Sequence, residues 1–184
     1  LKDISVKSMG SSTSYNGSGA YIDGGSPSFT DSEFSANVGY YGGHVYVTGS
    51  GSPTFNNTDF TSGYGYYGGA IYVNSGSADV EDSSFDGNYA YYNAGGVYLN
   101  SSAKLTLTNT DFDGNFGYYG HGGGIYAGTS ATVDIDGGNF ESNYIYYWTS
   151  GYYGGLIYLS TSAKLTATDA TFKDNKGYYG GAVY

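Results

Sequence analysis

Two short words recur in fixed order along this 184-residue chain, roughly every 26 residues. The first is Gly-Gly-x-[Val/Ile]-Tyr, at Gly42–Tyr46, Gly68–Tyr72, Gly154–Tyr158 and Gly180–Tyr184, with forms one residue shorter at Gly95–Tyr98 and Gly123–Tyr126. The second is Phe-x-x-Asn, anchored on Phe34, Phe60, Phe85, Phe112, Phe140 and Phe172 at spacings of 26, 25, 27, 28 and 32. A unit this short cannot bury its own apolar face, so it must stack on its neighbours. Function is then to be sought along columns of equivalent residues and at the edges of the stack rather than in a pocket.

One unit shows how the stack is made. Val97 and Leu99 alternate with Tyr98, which is strand periodicity with one apolar face. After a Ser/Asn turn, Lys104 to Thr108 alternates again and points Leu105 and Leu107 inward. A third short segment carries Phe112, and Asn115 closes it. The Asn recurs at Asn37, Asn88, Asn143 and Asn175. It is expected to take a left-handed corner and to bond by its amide to the Asn of the next coil. Gly63 stands in its place once, and is read as the other residue that accepts positive φ. Phe29, Phe55, Val80, Leu107, Ile135 and Ala167 each precede their Phe by five residues and form a second inward column. Three short strands per coil with no helical period predict an all-β, single-domain parallel β-helix over residues 1–184. It has about seven coils stacked at about 4.8 Å into a rod roughly 34 Å long.

Gly69-Ala70-Ile71 followed by Phe85-Asp86-Gly87-Asn88 resembles the Gly-Gly-Ala-Ile and Phe-x-x-Asn repeats of the polymorphic outer-membrane-protein family. The resemblance covers practically the whole chain. It implies a right-handed parallel β-helix of the kind displayed on cell surfaces. Two departures stand out: the family's outer-membrane β-barrel is absent here, and tyrosine is far more abundant than the words require.

Composition narrows the partners. A net charge of −10 with six Lys and no Arg argues against nucleic-acid or anionic-membrane binding, both of which need a basic face. No apolar run reaches 18 residues, so no helical membrane span is expected. Without Cys the array must be held by packing and backbone bonding. The sequons at Asn16, Asn56 and Asn100 are candidate glycosylation sites. With a start at Leu1 they suggest a secreted, extracellular or cell-surface protein whose signal peptide has been removed.

Tyrosine is the compositional anomaly, at 25 residues. A pair precedes each Gly-Gly, at Tyr40-Tyr41, Tyr66-Tyr67, Tyr91-Tyr92, Tyr118-Tyr119, Tyr152-Tyr153 and Tyr178-Tyr179, and one member of each is expected to face the core. A further ladder, Tyr46, Tyr72, Tyr98, Tyr126 and Tyr158, is predicted to be exposed. Either it stacks for stability, or it is a contact surface for another copy or for sugar rings. The longest repeat carries an insertion whose Tyr146, Tyr147 and Trp148 are a candidate contact loop or a tolerated bulge.

Catalysis is not expected. β-Helix lyases use Arg or Lys against acidic sugars, and here Arg is missing and the Lys are scattered. A glycosidase would need converging carboxylates, for which Asp111, Asp113, Asp134 and Asp136 are the candidates by proximity. His44 and His121 lie about three coils apart, roughly 14 Å, too far to share a metal. Asp31, Glu33 and Asp59 are candidates for weak Ca²⁺ binding, and no cofactor is expected.

The two ends are in phase. Ile4 precedes Met9 by five residues, as Val80 precedes Phe85, while the chain stops at Ala182-Val183-Tyr184 in mid-coil. Lys2, Ile4, Val6 and Met9 at one end and Ala182, Val183 and Tyr184 at the other are therefore the expected self-assembly surfaces. The chain is read as a non-enzymatic subunit of a head-to-tail filament, itself the main partner. The alternative is a glycan-binding or adhesive segment of a longer cell-surface array.

Overall fold

The structure, a computed structural model, describes residues 1–10, 15–147, 151 and 153–184. The strands pair in parallel and form three sheets that run side by side along one axis. On the first face, Ala20–Asp23 and the strands set by five Gly-Gly words, Val45–Thr48, Ile71–Val73, Val97–Leu99, Ile125–Ala127 and Ile157–Leu159, lie rung on rung. Tyr21, Tyr46, Tyr72, Tyr98, Tyr126 and Tyr158 stand in register there. These six rungs enclose five complete turns of about 27 residues, with part-coils at either end. The expected count of about seven treats those part-coils as whole.

The second face is an eleven-stranded sheet bent along its middle. The bend falls at Asp31, Asn57, Asp82, Asn109, Gly137 and Asp169, all at positive φ. Carboxylates alternate with amides through most of that corner, and Asn57 donates to Asp31 and Asn109 to Asp82. The alternation keeps like charges off adjacent rungs. Just inside the bend a hydroxyl column, Ser32, Thr58, Ser83 and Thr110, is buried and bonds back to the carbonyl two residues earlier. The third face has four two-residue strands, from Tyr64–Gly65 to Tyr144–Ile145.

The lumen is filled by identical neighbours. Phe34, Phe60, Phe85, Phe112 and Phe140 are fully buried and stack with centroids 5.4, 4.7, 4.3 and 5.2 Å apart. Removing one such ring costs about 3–5 kcal/mol. Val45, Ile71, Val97, Ile125 and Ile157 form a second buried column. Phe29, Phe55, Val80, Leu107 and Ile135 form a third, whereas Ala167 at the last rung is exposed.

The Asn column behaves as expected in one respect and differently in another. Asn88 donates its amide to Asn115 Oδ1 (2.9 Å), Asn115 to Asn143 (3.0 Å) and Asn143 to Asn175 (3.0 Å). The left-handed residue of the corner, however, is the one before it: Ala36, Ser62, Gly87, Gly114, Ser142 and Asp174. The Asn itself must keep ordinary backbone angles to aim its amide into the lumen.

Gly63 is therefore not a turn substitute. It leaves room for the ring of His44, which enters from the Gly-Gly word and fills the missing rung. Asn37 Nδ2 lies 2.8 Å from His44 Nδ1, and His44 Nε2 lies 3.1 Å from Asn88 Oδ1. Asn37 is the donor in the first contact, so the imidazole proton sits on Nε2. Burial lowers the His44 pKa to about 4, and the ring is neutral at pH 7.

Candidate functional site

The Gly-Gly word has constant length once its register is read from the structure. Ala94 at φ 61° takes the left-handed place held by Gly42, Gly68, Gly154 and Gly180, and Gly122 does so in the next coil. The words at Gly95 and Gly123 are thus not shortened. They are preceded by extra residues, Asn93 in one coil and Gly120-His121 in the next, and the tyrosine pairs shift accordingly.

Among the described residues no tyrosine of a pair enters the lumen, contrary to expectation. The inward places on that side belong to Gly65, Ala90, Gly117 and Ile145, all buried. A residue with positive φ follows each pair or its extra residues, so simple alternation does not hold there. In Tyr40-Tyr41, Tyr91-Tyr92, Tyr118-Tyr119 and Tyr178-Tyr179 both rings stay outside and meet edge to face, at 4.7 to 5.0 Å.

The result is a set of parallel aromatic columns along one side of the rod. One runs Tyr64, Tyr89, Phe116, Tyr144 at 4.9, 4.7 and 5.1 Å. A second runs Tyr40, Tyr66, Tyr91, Tyr118, Tyr146 at 4.9, 5.1, 6.0 and 5.0 Å. A third runs from Tyr21 through Tyr46, Tyr72, Tyr98, Tyr126 and Tyr158 to Tyr184, between 4.6 and 5.7 Å throughout.

The inner rings of this third column, Tyr46 to Tyr158, are the ladder expected to be exposed, and they are buried or half-buried. Tyr46 and Tyr72 are 8% and 7% exposed, and Tyr98, Tyr126 and Tyr158 are half-buried. Tyr41 lies against Tyr72 at 4.6 Å, His121 against Tyr158 at 4.5 Å, and Tyr153 against Tyr184 at 4.5 Å. Each inner ring is thus sandwiched by its own column and covered in part by the neighbouring one, while the end rings Tyr21 and Tyr184 are exposed. Desolvation raises the pKa of Tyr72 and Tyr98 well above the usual phenol value. His121 is half-buried among these rings with its pKa lowered by burial, and its Nδ1 accepts from the Tyr153 N–H at 3.0 Å.

The opposite side is ionic. Every acidic residue except Asp23, and every lysine except Lys176, falls on the bent sheet or its corners. The candidate carboxylates are spread over that open surface, most of them engaged with neighbours. Asp111 accepts from Asn139, Asp134 pairs with Lys104 (3.4 Å), Asp136 accepts from Thr168, and Asp113 stands in register between Asp86 and Glu141. Asp31 pairs with Lys2 (3.3 Å), Glu33 with Lys7 (2.7 Å), and Asp59 accepts from Ser84. The Asn57 hydrogen bond and then Lys2 hold Asp31 below the ordinary carboxylate pKa. Among the described residues no three His, Asp or Glu are grouped to hold a metal. Among the described residues there is no helix long and apolar enough to cross a membrane.

Of the candidate end residues, Ile4, Val6 and Ala182 are half-buried, while Lys2, Met9, Val183 and Tyr184 are exposed. The Met9 N–H donates to Asn37 Oδ1, and Val183 bridges to Ile157. Tyr146 and Tyr147 are exposed, and Trp148 lies outside the described residues. All three sequon asparagines are half-buried. Asn56 and Asn100 already donate their amides, to Glu81 and Asn74.

The family model described as a right-handed beta helix region matches residues 12–184. Neither a curated protein nor a solved structure matches the chain. The match does not extend to the polymorphic outer-membrane-protein family, which stays a resemblance of words. With parallel rungs throughout and a matched span of nearly its whole length, the chain belongs to the right-handed β-helix family.

Proposed function

We propose that the chain is a non-enzymatic structural β-helix of an extracellular filament or surface layer, stacking rung on rung with further copies and presenting its tyrosine side along the rod. One observation carries the reading. Ser5–Lys7 and Thr171–Lys173 are outermost rungs of the same bent sheet, each paired on one side only, with Val6 and Phe172 half-buried over the same column. An open parallel edge in register with its opposite number accepts another rung. A flanking coil of a longer chain would fit that edge equally well, so the test uses these 184 residues as they stand.

The aromatic geometry favours self-contact over sugar binding. Stacking on a sugar needs a free ring face, and in the long column both faces of each inner ring are taken by neighbours 4.6–5.7 Å away. What the rod offers outward is a row of ring edges and phenol groups at the rung spacing, which a second rod of the same period matches.

Electron microscopy of the purified chain at neutral pH should show filaments with an axial subunit repeat of about 34 Å. Monodisperse particles a few nanometres long would overturn the filament. The extracellular setting is tested by expressing the chain with a signal peptide in a eukaryotic host. A glycosidase-sensitive mass increase is expected, lost when Asn16, Asn56 and Asn100 are changed to Gln.

A further inference from the structure

The chain holds 25 Tyr against one Trp, one Met and no Cys, so phenols dominate its one-electron donors. Their arrangement matters more than their number. Tyr40 and Tyr66 lie 4.9 Å apart at 12°, Tyr118 and Tyr146 5.0 Å apart at 12°, and Tyr119 and Tyr147 4.8 Å apart at 17°. Each pair joins successive coils. Near-parallel rings at this separation bring the π face of one ring, ortho carbons included, within reach of the next, so that two phenoxyl radicals formed there can combine.

Access separates these columns from the roofed one. Tyr146 is 55% and Tyr147 38% exposed, and Tyr40, Tyr66, Tyr118 and Tyr119 are half-buried. Water can take the phenolic proton there as the electron leaves. Tyr72 and Tyr98 are as well stacked, but burial withholds both water and oxidant from them and favours the intact phenol.

We infer that the outward tyrosine columns are a site of oxidative modification, at which a heme peroxidase with hydrogen peroxide joins rings of successive coils as dityrosine. Each of two stacked tyrosines loses one electron and its phenolic proton. The two ortho carbons form a C–C bond, and each displaced ring hydrogen moves to its own oxygen, restoring two phenols. The two electrons and two protons reduce one peroxide to two waters. The product ties residues 26 apart (Tyr40 and Tyr66) or 28 apart (Tyr118 and Tyr146) and staples neighbouring coils of a chain that has no disulfide.

The test oxidises the dilute folded chain and the urea-unfolded chain with horseradish peroxidase and peroxide, then maps cross-linked peptides by mass spectrometry. The folded chain should give the Tyr40–Tyr66, Tyr118–Tyr146 and Tyr119–Tyr147 links about tenfold or more above the unfolded chain, because the stack presets their approach. In Tyr118→Phe, which keeps a ring in the column, the Tyr118–Tyr146 link should vanish while Tyr40–Tyr66 persists. Unchanged circular dichroism would show that the fold is kept. Equal link distributions in folded and unfolded chains, or persistence of only between-chain links, would overturn the inference.

Discussion

The two long sides of this rod are built on the same rungs and hold together by different means. On the bent sheet, outward places carry Asp, Glu, Lys, Ser and Thr, joined between rungs by hydrogen bonds and surface ion pairs such as Lys104 with Asp134. On the tyrosine side, outward places carry rings that stack on their own equivalents and roof one another. Exposed ion pairs each contribute little, since water and salt screen them. Aromatic pairs add about 0.5–1.5 kcal/mol each beyond the area they bury. The tyrosine side is thus a second core laid outside the lumen, while the acidic side keeps the rod hydrated.

The contrast breaks most directly at one rung. Tyr98→Ala removes a ring held between Tyr72 and Tyr126 at 4.7 and 4.6 Å, and should lower unfolding free energy by about 3 kcal/mol in urea titration. Thr106→Ala, outward in the same coil on the acidic side, should stay within about 1 kcal/mol. Equal losses would show that the tyrosine side adds no second core.

Acid sharpens the comparison from within. The unfolded chain protonates His44 near the ordinary 6.5, whereas the folded chain resists until about 4. The stabilising contribution is therefore whole above pH 6.5 and drains as pH falls toward 4, by up to about 3 kcal/mol. The difference in stability between native protein and His44→Gln, followed across that window, should shift by this order. A flat difference would mean that His44 takes up its proton in the folded state as easily as in the unfolded. The smallest effect lies on the acidic surface. Asp113 stands between Asp86 and Glu141, and Asp113→Asn should stabilise by a few tenths of a kcal/mol at low salt, with the gain gone near about 1 M salt.

Much of this architecture was legible in the repeat. Phe34 through Phe140 were identifiable as one buried column because a fixed offset from a fixed word can only stack on itself, and the amide bonds from Asn to Asn follow from the same logic. What escaped was conformational. Alternation assigns one tyrosine of a pair inward only if the chain there is extended, and the left-handed Gly42 and Gly68 interrupt it. His44 was hidden because the third place of its word admits Ala70, Gly96, Gly124 and Leu156 as well, so nothing linked it to the missing Asn at Gly63. The buried hydroxyls had a signal that could have been read: Ser32, Thr58, Ser83 and Thr110 all stand two residues before their Phe. The roofing of Tyr46 and Tyr72 had none, since it depends on which way rings in different columns lean.

The amide column gives the rod a sense of direction. Asn88, Asn115 and Asn143 each pass both a backbone N–H and a side-chain N–H forward, to the carboxamide oxygen of the following coil. A rung added in the same sense meets donors with acceptors. One added upside down sets donors against donors in a dry interior, where each unmet group costs about 1–3 kcal/mol. Any growth along the axis is then one-way traffic, and the molecule carries its own arrow.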